Sequence, residues 1–499
     1  MNYISIKNNQ TIPVAEIPVL AYDAFLEVNT GLISHHHGNH CVNYFGYRNG
    51  DKITLICCIA CDPEHLIHVS SCHVDPSQHL HSFTAKAYCF EKFERELHEN
   101  FGIRYSDHPW LKPVRYAHNR FDKTQTIANY PFYSIESEEL HEVGVGPIHA
   151  GIIEPGHFRF ICNGEQILHL EIQLGYQHRG IEQLMLDQKK LNQRATIAEN
   201  IAGDTVVGHT TAFSQVWESL CGLQVTDDIL FARTLALELE RIAIHTGDMS
   251  ALCTDIAYQL GSSVFGRLRT PIVNYMQEWC GNRLSKSLVR PGKNPFAFTP
   301  VLAKRLDEVL NEYERDFDEM NKELFKLPSA LSRFERTGVV SHEDVLSIGA
   351  VGMSARMSGL NRDIRSSHPN AKYAELNHEP IIKHHGDVYS RIQIRRQEIK
   401  QSIRYIREML KNVPAPSAPA AEPSRPHPGS FTISLVEGWR GEICHCAVTD
   451  PKGDLQIYKI KDPSFHNWLA LALAVRNNEI SDFPVCNKSF NLSYCGHDL

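Results

Sequence analysis

The chain has 499 residues and a formal net charge of −8 at pH 7, with 42% hydrophobic and 22% charged residues. This length allows two or more domains, and the composition is that of an ordinary globular protein. The negative charge and the lack of an extended Lys/Arg run argue against nucleic-acid binding, because phosphate contacts need a basic surface.

No targeting or membrane-spanning segment is apparent in the sequence. Residues 1–7 lack the apolar core of a signal peptide. No stretch approaches the roughly 18 apolar residues that a spanning helix needs. The 14 cysteines are scattered along the chain, which favours free thiols in a reducing compartment over a disulfide scaffold. We therefore predict a soluble protein whose membrane association comes through partners.

Residues 1–135 predict a small α/β domain. The continuous apolar run at 53–60 has the length of a strand, and residues 42–47 lead into an Asn49-Gly50 turn typical of a hairpin. Apolar residues at 90, 93, 97 and 101 follow helical spacing, and Gly102 is a helix stop signal.

Cys58 and Cys61 form a CxxC pattern inside the apolar run. As a functional pair they would be half of a metal site. Strand alternation places them on opposite faces, however, and no second CxxC exists to complete a tetrahedral site. We therefore predict buried strand cysteines.

The segment 146–209 concentrates polar and ionisable residues beside glycines and prolines. It includes Gly-Pro-Ile-His at 146–149, Glu-Pro-Gly-His-Phe-Arg at 154–159 and Glu-Asn-Ile-Ala-Gly-Asp-Thr at 199–205. Such a pattern is typical of a buried cofactor or electron-transfer pocket. A β-hairpin with ordinary turn residues explains its first half equally well.

The rest of the chain predicts a mainly helical domain with a β-rich end. The predicted helices cover residues 182–201, 210–220 and 229–257. Residues 303–326 carry dense alternating charge and predict a solvated helical hairpin arm. Residues 413–430 are Pro/Ala-rich and are interpreted as an insertion, after which a β-rich closing segment begins at Val436.

Several of these blocks resemble one protein family. The Gly146-to-Arg159 motifs, the Leu237-to-His245 segment and the blocks at 352–365 and 386–402 resemble the large subunit of group 4 (formate hydrogenlyase-type) nickel–iron hydrogenases and the 49 kDa subunit of respiratory complex I. Residues 90–111 resemble the complex I 30 kDa subunit. The resemblance implies an α+β fold. In it a 30 kDa-like α/β domain (1–135) precedes a mainly helical large-subunit domain (146–499) with a β-hairpin start and a β-rich closing segment.

The resemblance also implies where metal ligands would stand. Hydrogenases of this family hold nickel and iron with four cysteine thiolates, because these soft centres require sulfur donors. The corresponding positions here are Ala202, Thr205, Ser493 and Gly496. Cys495 is one residue out of register. We therefore expect no nickel–iron centre and assign no metal ligand.

Two residues are candidates for chemistry in the remaining cavity. His149 takes the place of the histidine that binds the quinone headgroup in complex I, and its alternative is a structural role in a turn. Glu154 lies near the proton-relay glutamate of hydrogenases, and its alternative is an ion pair with Arg159 or Arg179. No tyrosine occurs between residues 194 and 207, so quinone binding stays open. The residues expected to line the cavity are Ala202, Asp204, Thr205, His209, Asp363, Arg365, Ser493 and Gly496.

The resemblance implies a large, catalytic-subunit-like component of a membrane-associated, complex-I-like oxidoreductase. It would transfer electrons and protons next to a 4Fe–4S cluster of a small partner subunit and dock on membrane proton-pumping (antiporter-like) subunits at the inner face of the cell membrane. The chain has no glycine-rich dinucleotide fingerprint and no cysteine set for a cluster of its own. The alternatives are a non-catalytic structural or coupling subunit with an inert cavity, and an active nickel–iron hydrogenase (formate hydrogenlyase) large subunit.

Overall fold

A computed structural model describes residues 2–151, 153–417 and 425–499. The fold mixes helices and strands, as predicted. None of the described helices is both long and apolar enough to cross a membrane.

The N-terminal part contains a five-stranded sheet with helices against it. Its elements are β1 (Ile4–Ile6), β2 (Thr11–Pro13), β3 (Val19–Leu20), α1 (Tyr22–His35), β4 (Asn39–Asn49), β5 (Lys52–Cys61), β6 (Leu66–Val74), β7 (His79–His81), α2 (Glu91–Phe101) and β8 (Arg104–Ser106). The sheet has the order β1-β6-β5-β4, with β3 parallel to β6, and β7 pairs with β8 separately.

The local predictions for this part are confirmed. The β4–β5 hairpin turns at Gly50, which has a positive φ of 62°. The helix α2 ends where Gly102 adopts the left-handed conformation, and the Gly102 N–H donates to the carbonyl of His98. Cys58 and Cys61 are both buried residues of β5.

A three-stranded antiparallel sheet follows, with the order β11-β10-β9. Its strands are β9 (His141–Val145), β10 (His157–Asn163) and β11 (Gln166–Gln173). The hairpin predicted after about residue 146 is formed by β10 and β11. Residues 141–145 add a third strand, which pairs with β10 in the register Val145 to Phe158. Residues 146–156 form the loop between β9 and β10.

Helices dominate the middle of the chain. They are α3 (Ile181–Asp187), α4 (Leu191–Ala198), α5 (Val206–Leu220), α6 (Asp227–Asp255), α7 (Gln259–Cys280), α8 (Pro300–Leu324), α9 (Pro328–Phe334), α10 (His342–Ser347), α11 (Met353–Arg356), α12 (Ile364–Ser367) and α13 (Val388–Leu410). The long helices α6, α7, α8 and α13 share one apolar core.

Two helix predictions were wrong in detail. The single helix predicted at 182–201 is interrupted, because Gln188 and Lys190 adopt extended backbone conformations. The Arg194 guanidinium donates to the carbonyl of Met185, which gives this carbonyl in the last turn of α3 a hydrogen-bond partner. The hairpin arm predicted at 303–326 is a single helix, α8, whose apolar face is buried against the core.

A four-stranded sheet and three helices close the chain. They are β12 (Ser430–Glu437), β13 (Glu442–Thr449), β14 (Leu455–Lys461), α14 (Ser464–Ala474), α15 (Phe483–Phe490) and α16 (Tyr494–Asp498). The sheet order is β14-β13-β12-β2, so a strand from residues 11–13 completes it. Of the predicted insertion 413–430, residues 418–424 lie outside the described residues, and Ser430 already belongs to β12.

Candidate functional site

Two distant segments of the chain meet at the positions where the hydrogenase cysteines would stand. Ala202 and Thr205 lie in the turn before α5, and Ser493 and Gly496 lie at the start of α16. All four residues are buried. The structure therefore brings together the four positions that the sequence resemblance identified.

Two arginines hold these segments together. The Arg179 guanidinium donates to the carbonyls of Ile201, at 2.8 Å, and of Cys495, at 3.0 Å. The Arg440 guanidinium forms two 2.6 Å hydrogen bonds with the Asp204 carboxylate and donates to Thr205 Oγ1 at 3.1 Å. Arginine suits such bidentate contacts because its donors form a planar fork.

Arg440 is fixed by further contacts of the same kind. Its Nε donates to the carbonyl of Asn491, and its guanidinium stacks 3.9 Å from the ring centre of Trp439. Burial alone would lower the pKa of Arg440, but the charge and hydrogen bonds of Asp204 outweigh burial, and the pKa is raised. A permanent positive charge therefore stands between the two segments.

The residues at these positions do not fit a nickel–iron centre. None of the four carries a thiol. A Cβ atom at Gly496 would lie 2.7 Å from the carboxyl carbon of Asp462 and 2.9 Å from Ser493 Oγ. The Asp462 carboxylate therefore occupies space that a side chain at position 496 would need. Ser493 acts as the N-cap of α16, because its Oγ accepts the Gly496 N–H at 2.9 Å.

The other side chains that could bind a metal either lie away from these four positions or are poor metal ligands. Cys495 is buried, and burial together with the Glu154 charge raises the pKa of its thiol to about 11. Within residues 2–151, 153–417 and 425–499, the one group of three metal-capable side chains within 4.8 Å of one another is Cys61, Glu64 and His68, on the N-terminal sheet. The donors around Asp462 are thus nitrogen and oxygen groups already paired with one another.

A chain of buried hydrogen bonds starts at Asp462. His209 Nε2 lies 3.0 Å from Asp462 Oδ2, and His209 Nδ1 lies 3.1 Å from His445 Nε2. His445 Nδ1 then lies 2.8 Å from the Tyr458 hydroxyl. All four side chains have 0% exposure. We call these four residues the Asp462 chain.

One set of protons satisfies every link of the Asp462 chain. The Tyr458 O–H donates to His445 Nδ1, the His445 Nε2–H donates to His209 Nδ1, and the His209 Nε2–H donates to the carboxylate. Burial and the neighbouring His209 hold the pKa of His445 well below its usual range, so this ring is neutral. Burial would raise the pKa of Asp462, but the hydrogen bond from His209, together with the charge of Arg440 and the hydrogen bond from Ser464, outweighs burial, and the pKa is lowered.

The far end of the Asp462 chain reaches a cavity. Tyr458 lines a space of about 660 Å³ between α2, α3 and β14. The cavity wall includes Lys459, which forms ion pairs with Glu96 at 2.6 Å and with Glu182 at 3.1 Å. The exposed residue Gln183 also lines the cavity, which places its edge at the surface. Tyr458 itself has no exposed surface, so the hydrogen bonds lead from the buried segment junction to the wall of this cavity and end behind it.

His149 and Glu154 lie in the loop between β9 and β10, which packs against α16. His149 Nε2 is 2.9 Å from the carbonyl of Gly156. Glu154 accepts from the Cys495 N–H at 3.5 Å. The alternative role considered for Glu154, an ion pair with Arg159 or Arg179, is not seen: Arg159 pairs with Glu142, and the Arg179 guanidinium donates to backbone carbonyls.

Asp363 and Arg365 lie in a separate buried network. Arg365 pairs with Asp363 at 2.6 Å and with Glu398 at 2.7 Å, and Glu398 also pairs with Arg356. Trp439 lies between this network and the segment junction. Its Nε1–H donates to the Asp204 carbonyl, and its ring meets His245, another partner of Glu398, edge to face.

Sequence reasoning identified His209, but it missed its partners Asp462, His445 and Tyr458. The available signals were weak. His445 is a single histidine inside an otherwise apolar strand, and Asp462 directly precedes a proline. Both signals are common at positions that have no functional role. Only the packing of α5 on β13 and β14 brings these side chains together.

Proteins that resemble this chain are hydrogenase components and NADH-quinone oxidoreductase subunits. Residues 260–431 match the family of the respiratory-chain NADH dehydrogenase 49 Kd subunit. Hydrogenase-4 component G of Escherichia coli is 25% identical over 388 residues, which cover 78% of this chain and 67% of that protein. Formate hydrogenlyase subunit 5 of Escherichia coli is 27% identical, with coverage of 74% and 65%. The C/D subunit of NADH-quinone oxidoreductase from Bacteroides thetaiotaomicron is 28% identical, with coverage of 74% and 75%.

The resemblance inferred from the sequence motifs is confirmed at this level. The 30 kDa-like character of residues 1–135 and the loss of the nickel–iron ligands stay predictions. Part of the chain is thus similar to the 49 Kd subunit family, and the relatives are a hydrogenase-4 component, a formate hydrogenlyase subunit and an NADH-quinone oxidoreductase C/D subunit.

Proposed function

We propose that this chain is the large subunit of a membrane-associated, complex-I-like oxidoreductase that conducts protons without a nickel–iron centre. Electrons would pass through a 4Fe–4S cluster in a small partner subunit. The complex would lie at the inner face of the cell membrane, docked on antiporter-like proton-pumping subunits. Support for this assembly comes from the relatives, which include formate hydrogenlyase subunit 5 and a membrane-bound hydrogenase subunit alpha.

The observation that carries the proposal is the placement of the Asp462 carboxylate. It occupies space beside Gly496, where the family would have a metal ligand, and it is hydrogen-bonded to His209. An ionisable group next to a redox centre can take up a proton when the centre is reduced, because the added negative charge raises its proton affinity. The junction is therefore suited to proton transfer coupled to the partner cluster.

The Asp462 chain provides the route for that proton. A proton from the cavity has to cross its wall to reach the Tyr458 oxygen. Tyr458 then gives its hydroxyl proton to His445 Nδ1, and His445 gives its Nε2 proton to His209 Nδ1. The His209 Nε2 proton then moves to Asp462. Each transfer crosses one hydrogen bond of 2.8 to 3.1 Å, within the range that general acid–base groups need.

A quinone remains a second ligand to be tested rather than part of the proposal. The sequence resemblance equates His149 with the headgroup-binding histidine of complex I, but its Nε2 is engaged by the Gly156 carbonyl. The non-catalytic coupling subunit is the competing function. It is favoured by the Arg440–Asp204 ion pair, which fills the junction with mutually satisfied charges.

The test uses the intact complex, purified with its partner subunits. The cluster is reduced by a light pulse with a deazaflavin donor, and proton uptake is followed with a pH-indicator dye in unbuffered solution. His445→Gln should slow proton uptake by about tenfold or more, because general acid–base groups contribute factors of about 10²–10⁴. His368→Gln, at another buried histidine outside the Asp462 chain, is the matched control.

The outcomes separate the three functions. Slow uptake in His445→Gln with normal uptake in His368→Gln supports the proposal. Equal rates in both variants and the unmodified complex favour the coupling role. Stoichiometric nickel, measured by mass spectrometry of the purified complex, would restore the nickel–iron hydrogenase.

A further inference from the structure

A second cavity lies away from the Asp462 chain, between the N-terminal helix α2, strand β11 and helix α14. It encloses about 320 Å³, at the lower end of the range for small-molecule sites. Apolar and aromatic side chains form most of its wall, and these include Tyr88, Trp110, Leu174, Trp468, Leu469 and Leu473. A cavity with such walls accommodates a hydrocarbon or aromatic body.

Lys92 supplies a cation inside this apolar wall. It is partly buried, and its Nζ lies 3.3 Å from His497 Nε2 and 5.7 Å from the ring centre of Phe465. His497 is held by Asp498, whose Oδ1 accepts from His497 Nδ1 at 2.8 Å. Burial keeps the pKa of His497 well below its usual range, so the ring is neutral and accepts one ammonium proton. The ammonium group has two more donors for a ligand.

The acidic residues of the cavity wall have other partners. Glu91 pairs with Arg95, and Glu171 pairs with Lys112 at 2.6 Å. Asp344 lies at the surface as part of the N-cap of α10. No carboxylate among the described residues forms an ion pair with Lys92 or with Arg476, which is exposed at the cavity mouth. Lys92 and Arg476 therefore form no ion pair with a described carboxylate, although Glu91 and Asp498 attract Lys92 from a greater distance.

We propose that this cavity binds a small amphipathic organic anion, with its carboxylate on the Lys92 ammonium group and its apolar body between Trp110 and Trp468. The apolar wall and the unpaired cation are the two features that recognise such a ligand. The site is separate from the Asp462 chain, so it does not depend on the proposed function.

Binding of the anion should take up protons. Burial, together with the charges of Arg95 and Arg115, lowers the pKa of Lys92 to about 7 against the attraction of Glu91 and Asp498. A bound carboxylate favours the charged lysine. The affinity should therefore fall by about tenfold or more between pH 6 and pH 8.5, as the free amine loses its proton. The ionisable groups around Lys92 are Glu91, Arg95, Arg115, His466, His497 and Asp498.

The experiment is isothermal titration calorimetry of the full chain at pH 6 with octanoate, octan-1-ol and octylamine. Octanoate should bind at least tenfold more tightly than the neutral or the cationic analogue. Lys92→Met, which keeps the length of the side chain, should remove this preference and leave octanol binding unchanged. Lys86→Met, at an exposed lysine that pairs with Glu27, is the matched control and should behave as the unmodified chain.

A second variant keeps the test informative if Lys92→Met fails to fold. Ser347 is exposed at the cavity mouth, so Ser347→Glu should weaken octanoate binding, while Ser347→Gln should not. The proposal is overturned if octanol binds as tightly as octanoate, if no analogue binds below millimolar concentration, or if the Lys92 and Lys86 variants bind octanoate equally.

Discussion

Replacement of Asp462 by asparagine tests the direction of the buried hydrogen bonds. The carboxylate accepts two hydrogen bonds, from His209 Nε2–H at 3.0 Å and from the Ser464 N–H at 2.8 Å. Asparagine can keep the Ser464 bond with its oxygen, but it then presents an NH₂ group to His209. His209 must change tautomer, and the hydrogen bonds to His445 and Tyr458 reverse without being lost.

The expected cost follows from this exchange. A hydrogen bond to a charged group contributes about 1.5–3 kcal/mol and a neutral one about 0.5–1.5 kcal/mol, so Asp462→Asn should lower the free energy of unfolding by about 1–2 kcal/mol. Asp462→Ala leaves the His209 N–H without an acceptor in a fully buried place and opens a void. It should cost about 3–5 kcal/mol.

The assay is thermal unfolding of both variants, followed by circular dichroism between pH 7 and pH 3. The pKa of Asp462 is lowered in the folded state, so its charge stabilises the protein above its unfolded pKa, and this stabilisation is lost as the pH falls through the folded pKa. The difference in Tm between the unmodified chain and Asp462→Asn should therefore shrink below about pH 4. Equal destabilisation by asparagine and alanine, or a Tm difference independent of pH, would refute the reasoning.

Three further predictions concern other parts of the site. Glu398→Gln removes the carboxylate charge from a fully buried network of arginines, so urea unfolding should show a loss of about 3–5 kcal/mol, and a loss below about 1 kcal/mol would contradict the pairing. Gly496→Cys should lower the Tm through overpacking against Asp462, at a cost of about 1–3 kcal/mol, and nickel bound by this variant would argue against that clash. His149→Ala and Glu154→Gln in the intact complex should reduce proton uptake on cluster reduction if the β9–β10 loop takes part, and unchanged uptake for both would limit the route to the Asp462 chain.

Local signals in the sequence predicted the elements that depend on neighbouring residues. The spacing of Phe90, Phe93 and Leu97 with Gly102 was sufficient for α2, because an amphipathic helix and its left-handed end are decided within a few turns. The same holds for the hairpin at Gly50. The four cysteine positions were assigned by resemblance and stay a prediction; the structure shows that Arg179 and Arg440 link the two segments that carry them.

Features that depend on long-range contacts were not predictable. The break at Gln188 depends on how Arg194 folds back on Met185, and periodicity carries no signal for it. In the Asp462 chain, His209 contacts His445, which lies 236 positions later in the sequence, and Asp462, which lies 253 positions later. The packing of a helix on a sheet creates both contacts. A pattern read along one chain cannot place such partners opposite each other.

The strand at residues 11–13 has a consequence for how this protein is made. Its hydrogen-bonding partner is residues 430–432, so the two lie about as far apart along the chain as its length permits. At about 5–20 residues per second, a ribosome needs on the order of 20–80 s to supply the second strand after the first has emerged. During that time the segment 11–13 has no strand to pair with. A fragment that stops at residue 135 would keep it exposed permanently, and one that starts at residue 146 would leave an open sheet edge prone to aggregation.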